Sequence, residues 1–257
     1  MGWYQTYIAF YTILIKETRR FIRIWIQTVL PAMITTGLYF VIFGNLIGSR
    51  IGDMQGVRYI DYIVPGLVLM TIITNSYANV VSSFYSSKFQ RNIEEMLVSP
   101  IPNYVILLGY ICGGVARGLV VGVGVTAVAA FFAGMHLHSL TVIITFAILT
   151  AILFSLGGFI NAVYAKSFDD ISIVPTFVLT PLTYLGGIFY TIHLLPEFWQ
   201  KVSLANPILY MVNAFRFGFL GLSDINIWYS YVIVIVFIAA MFAFSLYLLN
   251  KGHGIRT

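Results

Sequence analysis

Charge is what this sequence has least of. Asp, Glu, Lys and Arg together make up 9% of the residues, against roughly 25% in an ordinary soluble domain. A surface facing water cannot be covered with so few charges. The 60% of hydrophobic residues points the same way, to lipid as the main solvent. Cysteine is nearly absent too. Cys112 stands alone, which excludes an internal disulfide framework, and its apolar, Gly-rich setting suits a small buried hydrophobe better than a reactive thiol. The four histidines, His136, His138, His193 and His253, form no Cys/His cluster with zinc-ligand spacing. His136 and His138 are two apart and would be the pair to test for a metal. No Gly-x-x-x-x-Gly-Lys-Ser/Thr phosphate loop and no Gly-x-Ser-x-Gly elbow occurs. We therefore assign no catalytic, cofactor-binding or metal residues to this chain.

What is present is length of apolar run. A helix needs about 20 apolar residues to cross the hydrocarbon core. Six stretches meet that length: 25–47, 62–87, 104–135, 139–165, 171–192 and 225–250. The third alone carries a charge, Arg117. The expected fold is an all-α membrane protein, a single transmembrane domain over residues 1–257 with six transmembrane helices. The N-terminus has no short apolar run with a cleavage site, so no removed leader is expected. Pro31, Pro65, Pro175, Pro181 and the pair Gly186-Gly187 fall inside spans. Lipid-embedded helices tolerate such breaks where neighbours or cavities satisfy the freed backbone. Several broken helices lean toward a transporter over a simple anchor.

Six spans put both termini on one side. That side holds nine basic residues: Lys16, Arg19, Arg20, Arg23, Lys88, Arg91, Lys166, Lys251 and Arg256. The other holds four, Arg50, Arg58, Lys201 and Arg216. By the positive-inside rule both termini are cytoplasmic. The net charge of +5 is thus mostly a topology signal, and no nucleic-acid partner is expected.

Three segments do not read as spans. Residues 1–24 carry Tyr4, Ile8, Tyr11, Ile15 and Ile22 at helical spacing, with Lys16, Arg19, Arg20 and Arg23 on another face. That pattern predicts an amphipathic interfacial helix, apolar side in the acyl boundary and basic side toward anionic headgroups; the plainer alternative is a flanking charge cluster that only sets topology. The run 88–102 places Phe89, Ile93, Met96 and Leu97 on one stripe. Arg91 and Glu95 form an i, i+4 opposite-charge pair, and Pro100 and Pro102 end the helix. Its stripe suits either lipid or a groove on a cytoplasmic partner. The external segment 193–218 has two apolar pieces, Leu194 to Trp199 and Pro207 to Phe215, joined at Asn206-Pro207. Both are too short to cross and too apolar for a solvated loop, so a re-entrant helical hairpin is expected. The aromatics Phe189, Tyr190, Phe198, Trp199 and Tyr210 equally suit an interfacial belt.

The third stretch carries Gly109, Gly113, Gly114, Gly118 and Gly122, mostly four apart. Small residues at that spacing let helix backbones approach closely, within one chain or between two. Arg117 lies 12 residues past Val105, about 18 Å along a helix, and so near the bilayer midplane. It needs a partner, and no acidic residue is available mid-span. Backbone carbonyls, Asn75, Asn79 and Asn161 are the candidates. Its role is either structural hydrogen bonding or contact with an anionic headgroup or substrate. In the fifth stretch Thr180, Thr183, Tyr184 and Tyr190 beside Gly186 and Gly187 could face a saccharide or an amphipathic molecule.

This layout resembles the membrane permease subunits of ABC transporters of the type-2 export class, nearly over the whole chain, with wording similar to the YadH-like subgroup. The resemblance rests on the basic helix at Lys16 to Arg23, on KFQRNIEEMLVSPIP from Lys88 to Pro102, on FDDISIVPTFVLTPLTYLGGIFY from Phe168 to Tyr190, and on LLPEFWQKVSLANPILYMVNAFRFG from Leu194 to Gly218. It implies that Lys88, Phe89, Arg91, Ile93, Glu94, Glu95 and Leu97 belong to a coupling helix seated in a separate cytoplasmic ATPase. Lys16, Arg19, Arg20 and Arg23 would belong to a connecting helix. Arg117, Asn75, Asn79, Thr180, Thr183 and Tyr184 would line a pathway or interface. Gly186, Gly187, Tyr190, Pro196, Asn206 and Pro207 would form an external gate. Two copies of the chain would work with two ATPase subunits in the bacterial inner membrane. ATP and Mg would sit on the ATPase, and an amphipathic, lipid-like or saccharide substrate would be exported. The rival from another class is an ATP-independent lipid scramblase or channel.

Overall fold

The computed structural model describes residues 2–134, 137–252 and 254. Met135, His136 and His253 lie outside the described residues, as do Ile255, Arg256 and Thr257.

Helices make up nearly all of the structure. α1 is Trp3–Arg23, and after Ile24 α2 runs over Trp25–Tyr39, widens to a π-helix at Phe40–Ile47 and ends in α3, Gly48–Ile51. Two-residue strands β1, Asp53–Met54, and β2, Val57–Arg58, pair antiparallel. The turn between them has Gln55 at φ 52° and Gly56 at φ 81°, the double positive-φ geometry of a tight hairpin. This ribbon has only a lone glycine as its sequence signal. Then follow α4, Tyr59–Phe89; α5, Asn92–Val98; α6, Asn103–Phe132; and α7, Leu140–Tyr164. α8, Asp170–Val174, continues through a π-helical Pro175–Leu179 into α9, Thr180–Tyr184. A short 3₁₀ turn at Ile192–Leu194 precedes α10, Glu197–Leu204, α11, Pro207–Leu220, and α12, Ile227–Lys251.

Five helices are long and apolar enough to cross a membrane: Trp25–Ile51, Tyr59–Phe89, Asn103–Phe132, Leu140–Tyr164 and Ile227–Lys251. They match five of the six expected stretches. The stretch 171–192 differs. It is helical only from Asp170 to Tyr184 and is bent by a π-helical turn that opens at Pro175. At 1.5 Å per residue, its 15 helical residues reach about 22 Å, short of a hydrocarbon core about 30 Å thick. Proline removes an N–H and crowds the preceding turn, and Gly187 at φ +71° follows the end of the helical segment.

α4 is the centre of the bundle. Tyr62, Ile63, Leu69, Ile73, Val80 and Phe84 are all buried. Around it pack α6, α7 and α11. The outer faces of α2 and α12 remain bare, with Ile26, Leu30, Ile34, Trp228, Val232 and Val236 exposed. Faces so apolar require a non-aqueous solvent.

The glycines of α6 serve contacts within the chain. A Cβ at Gly109 would come within 2.5 Å of Ile13 Cγ2, and one at Gly113 within 2.5 Å of Glu17 Cβ. α1 therefore follows α6 turn for turn. Farther along, Val29 and Met33 of α2 face Gly124. On another face, Gly118 and Gly122 receive Ser76 and Ile72 of α4. Of the two uses open to a small-residue stripe, this one is filled by the chain's own helices.

α1 also departs from the two-faced pattern expected of it. Tyr4, Tyr7, Ile8, Tyr11 and Ile22 are exposed as a lipid-facing side would be. The inward side, however, is Ile13, Glu17 and Phe21. Arg20, expected to point at headgroups, turns to α4 and is half-buried; Lys16 reaches Ser87 of α4 while still exposed, and Arg19 and Arg23 are exposed. Arg216, counted above among the external surface charges, is 2% exposed. It is a core residue, so it carries no topological weight. The nine-to-four asymmetry then becomes nine to three.

Candidate functional site

A polar seam runs down one face of α4. Asn75, Asn79, Ser83 and Ser87 are spaced four apart, so they stack on one side of a helix. Each meets a different neighbour. Asn75 Oδ1 accepts from Arg117 Nη2 of α6 at 3.4 Å. Asn79 accepts from Arg20 Nη2 twice, through Oδ1 at 2.8 Å and its backbone carbonyl at 2.7 Å. Ser83 Oγ donates to Glu17 Oε1 at 2.6 Å. Ser87 Oγ accepts from Lys16 Nζ at 3.3 Å and from Tyr110 Oη at 3.0 Å. Glu17 is fully buried and also pairs with Arg20, Nε to Oε2 at 3.5 Å. Buried charge persists only where it is paired and hydrogen-bonded. The Glu17–Arg20–Asn79–Ser83 cluster meets that condition in part, with groups from two helices: Glu17 Oε1 and Arg20 Nη2 are hydrogen-bonded, and Glu17 Oε2 and Arg20 Nε share only the ion pair.

The seam opens into two grooves. One, about 380 Å³, lies between α2, α4 and α6 and is lined by Thr28, Thr35, Thr36, Thr71, Thr74, Asn75 and Arg117 among others. The second, about 430 Å³, lies between α4 and α8–α9 and is lined by Thr74, Ser82, Ser172, Thr176, Thr180 and Thr183 with apolar neighbours. Met70 and Thr74 border both. The structure thus brings Asn75 and Arg117 together and sets Thr180 and Thr183 in the adjoining groove. It does not bring Asn79 or Asn161 to Arg117. Asn79 holds Arg20, and Asn161 Nδ2 donates to Ile171 O at 3.1 Å.

At the far end, the chain after α9 is tied down by buried polar contacts. Arg216 of α11 donates from Nη2 to Gly187 O at 2.5 Å, and its guanidinium carbon lies 3.9 Å from the centre of the Tyr62 ring. Asn206 starts α11: its Oδ1 accepts from Ile208 N at 3.0 Å, and its Nδ2 donates to Leu182 O at 2.7 Å. Pro207 sits at the first helical position, where no N–H is required. Gly186 packs against Ile208, and Tyr190 Oη donates to Tyr184 O at 2.9 Å. Pro196 precedes α10 as its cap residue. All six residues read as a gate therefore fall in the 184–208 segment. Arg216, which locks it, was missed. Its only signal in the sequence was an arginine within the apolar run Pro207 to Leu220.

α5 hangs from the other end of α4. Arg91 at φ 61° makes the tight turn between the two helices. Ile93 is fully buried, and Met96 and Leu97 are half-buried. Arg91 and Glu95 point outward, Glu94 is half-buried, and Val98 is 87% exposed. Lys88 turns back to the chain, while Phe89 stays 65% exposed. Lys88 Nζ donates to Val163 O and Ala165 O at 2.6 and 2.8 Å, closing the end of α7. Phe89 stacks edge-on with Phe168 at 5.2 Å. At the first position of α8, Asp170 accepts from the backbone N–H of Lys166 and of Ser167, in the loop after α7, at 2.8 and 3.1 Å. These hydrogen bonds, led by that from Lys166, hold its carboxyl below the usual carboxylate range. Of the histidine pair, His138 lies edge-on to Phe217 at 4.9 Å, and His136 is outside the described residues.

Comparison with known proteins adds the family context. Residues 8–220 match the ABC-2 type transporter family. The inner membrane transport permease YadH of Escherichia coli strain K12 is 56% identical over 251 residues, 98% of each chain. Nodulation protein J of Rhizobium leguminosarum bv. viciae is 23% identical over 215 residues, 83% of each chain. Nodulation protein J of Rhizobium meliloti strain 1021 is 25% identical over 185 residues, 72% of this chain and 71% of that protein.

Proposed function

This chain belongs to the ABC-2 type transporter family, and on that premise we propose that it is the membrane permease of an ATP-driven exporter in the bacterial inner membrane. Two copies form the pathway and work with two copies of a separate cytoplasmic ATPase. The cargo is amphipathic, lipid-like or saccharide, and it leaves the cytoplasm or the inner leaflet. Both termini face the cytoplasm. The bent α8–α9 element completes six membrane-inserted segments by entering from the cytoplasmic side, and 193–218 folds back as the external hairpin and gate.

The observation that carries this reading is α5. It is a short helix anchored by one fully buried side chain, Ile93, with Arg91, Glu95 and Val98 presented outward. Lipid gives no reason for an outward carboxylate, Glu95, beside a bare Val98 at the end of the long central helix, whereas a protein cleft does. The anchor also joins α5 rigidly to α4, the helix that carries the polar seam and borders both grooves. Motion delivered to α5 is thereby passed to the walls of the passage. The absence of a phosphate loop in the sequence supports hydrolysis on a separate polypeptide, where ATP and Mg would bind.

The test is the double reversal Glu94→Lys/Glu95→Lys, measured in membranes with the ATPase co-expressed. The expected outcome is normal insertion, loss of co-purified ATPase and loss of substrate-stimulated hydrolysis. Unchanged hydrolysis and transport would reject the assignment. ATP-independent substrate movement by the purified chain alone would favour a scramblase or channel.

A further inference from the structure

We propose that the groove between α2, α4 and α6 is a binding site for a phosphate-type anionic group, held by Arg117 at mid-height of the bundle. The inference deepens the transport reading and rests on it for the group's role as cargo; the binding itself does not.

Arg117 is under-used within the chain. A guanidinium offers five N–H donors. Here one contact exists, to Asn75 Oδ1 at 3.4 Å, and Nε is buried without a partner. Both ion pairs among the described residues, Arg20–Glu17 and Arg58–Asp61, leave Arg117 out. Arg216 makes the contrast. Its Nε is likewise buried without a partner, but a carbonyl at 2.5 Å and an aromatic face at 3.9 Å occupy the rest of its guanidinium, and it lines neither polar groove. Arg216 is a structural cation; Arg117 is a cation beside open space.

That space has the right chemistry. Its volume of about 380 Å³ lies in the range of small-ligand sites. Thr28, Thr36, Thr71, Thr74 and Asn75 place hydroxyl and amide groups in the groove, and no acidic side chain lines it; the Thr28, Thr71 and Thr74 hydroxyls and the Asn75 amide donate to carbonyls of their own helices and turn from these to meet an anion. Threonine hydroxyls can donate to anion oxygens as readily as they accept, and a forked guanidinium fits two oxygens of one phosphate. Arg117 stands 14 residues into α6, about 21 Å along the helix, too deep for a side chain that merely anchors at the interface. One wall is α2, whose neighbouring Ile26, Leu30, Ile34 and Leu38 are bare. An acyl chain can lie along α2 while its charged head sits in the groove. Thr74 and Met70 join this groove to the one bearing Thr180 and Thr183, so the head has a polar route onward.

The test uses the purified full-length chain in a neutral detergent, followed by its thermal midpoint. Dihexanoyl phosphatidylglycerol, dihexanoyl phosphatidylcholine and inorganic phosphate are titrated separately. Phosphatidylglycerol should raise the midpoint saturably. Arg117→Gln should weaken its apparent affinity roughly tenfold or more, the loss expected for one charge-assisted contact, and Arg117→Lys should retain part of it. Inorganic phosphate matching phosphatidylglycerol, with the same dependence on Arg117, supports the anion site and names a soluble phosphate compound as its source. Equal response to phosphatidylcholine, or an undiminished response in Arg117→Gln, overturns the proposal. Should Arg117→Gln fail to insert, Thr71→Val/Thr74→Val keeps the guanidinium and strips two hydroxyls; unaltered affinity there overturns it equally. No ATPase is needed, so failure here leaves ATP coupling standing, and failure of coupling leaves this site standing.

Discussion

Arg216 Nη2 donates to Gly187 O at 2.5 Å, across 29 residues of chain. Gly187 is in a positive-φ conformation, +71°, which an L side chain rarely tolerates. Its carbonyl accepts from a long cationic side chain rising from α11. The same guanidinium lies over Tyr62 of α4. One residue therefore fixes the turn after α9 to both α11 and the central helix.

Replacing Arg216 should loosen that whole corner. Arg216→Met keeps much of the volume but leaves the Gly187 carbonyl without its donor and removes the contact with Tyr62. We expect a loss of roughly 2–4 kcal/mol, from a charge-assisted hydrogen bond plus a cation–π contact. Thermal unfolding in detergent measures it. Arg216→Lys should recover only part, since an ammonium lacks the planar fork. A variant as stable as the parent would remove Arg216 from its place as the lock.

The approach of α1 to α6 depends on a missing side chain. Gly113→Val would push into Glu17 Cβ, because the first added carbon already falls at 2.5 Å from it. Overpacking of this kind typically costs about 1–3 kcal/mol. It should also separate Glu17 from Ser83. Thermal unfolding of Gly113→Val against the parent in detergent measures the cost, and an unchanged midpoint would show that α1 does not pack on α6 through Gly113.

α5 should respond differently at its anchor and at its outer face. Ile93→Ala opens a buried site and should cost about 2–4 kcal/mol of local stability, seen as faster proteolysis at 90–100 with the bundle intact. Glu95→Lys lies on the exposed side and should leave proteolysis unchanged while weakening ATPase association. Equal proteolysis in both variants would mean that the helix is not held by Ile93.

The loop between α7 and α8 should weaken in acid. The Asp170 carboxyl titrates below its ordinary value of 3.8 because the folded chain donates two backbone N–H groups to its charged form. A depressed acid stabilises the fold above its unfolded pKa, and that contribution disappears as pH falls through the folded pKa. Asp170→Ala should therefore be less stable than the parent at neutral pH. The gap should close as the pH is taken below 3.8. Thermal midpoints of the two proteins across that range provide the check.

Much of the architecture was legible because lipid imposes a one-dimensional code. Five of the six apolar stretches are long helices with ends near those expected, and α5 appears inside the run 88–102 that its apolar stripe and closing prolines marked. The stretch 171–192 is helical over Asp170 to Tyr184 only, because apolar content measures solvent preference and not helix length; the positive-φ Gly187 lies just past its end. On α1 the spacing of Tyr4, Ile8 and Tyr11 marks an exposed side, where a face meant for the acyl boundary was expected. The sole acidic residue of the first 52, Glu17, was the better clue to the buried one, since an unpaired carboxylate among basic residues must face something.

The sequence on its own determined the solvent, the placement of the long helices and the short helix offered at one end, since hydrophobic run length and proline position act within a local window. Only the tertiary structure decided where the charges go. Glu17 meets Ser83 across 66 residues, Arg117 meets Asn75 across 42, and Arg216 meets Gly187 across 29. A polar group inside a lipid-embedded bundle must find its partner on another helix, and no window of neighbouring residues contains that partner.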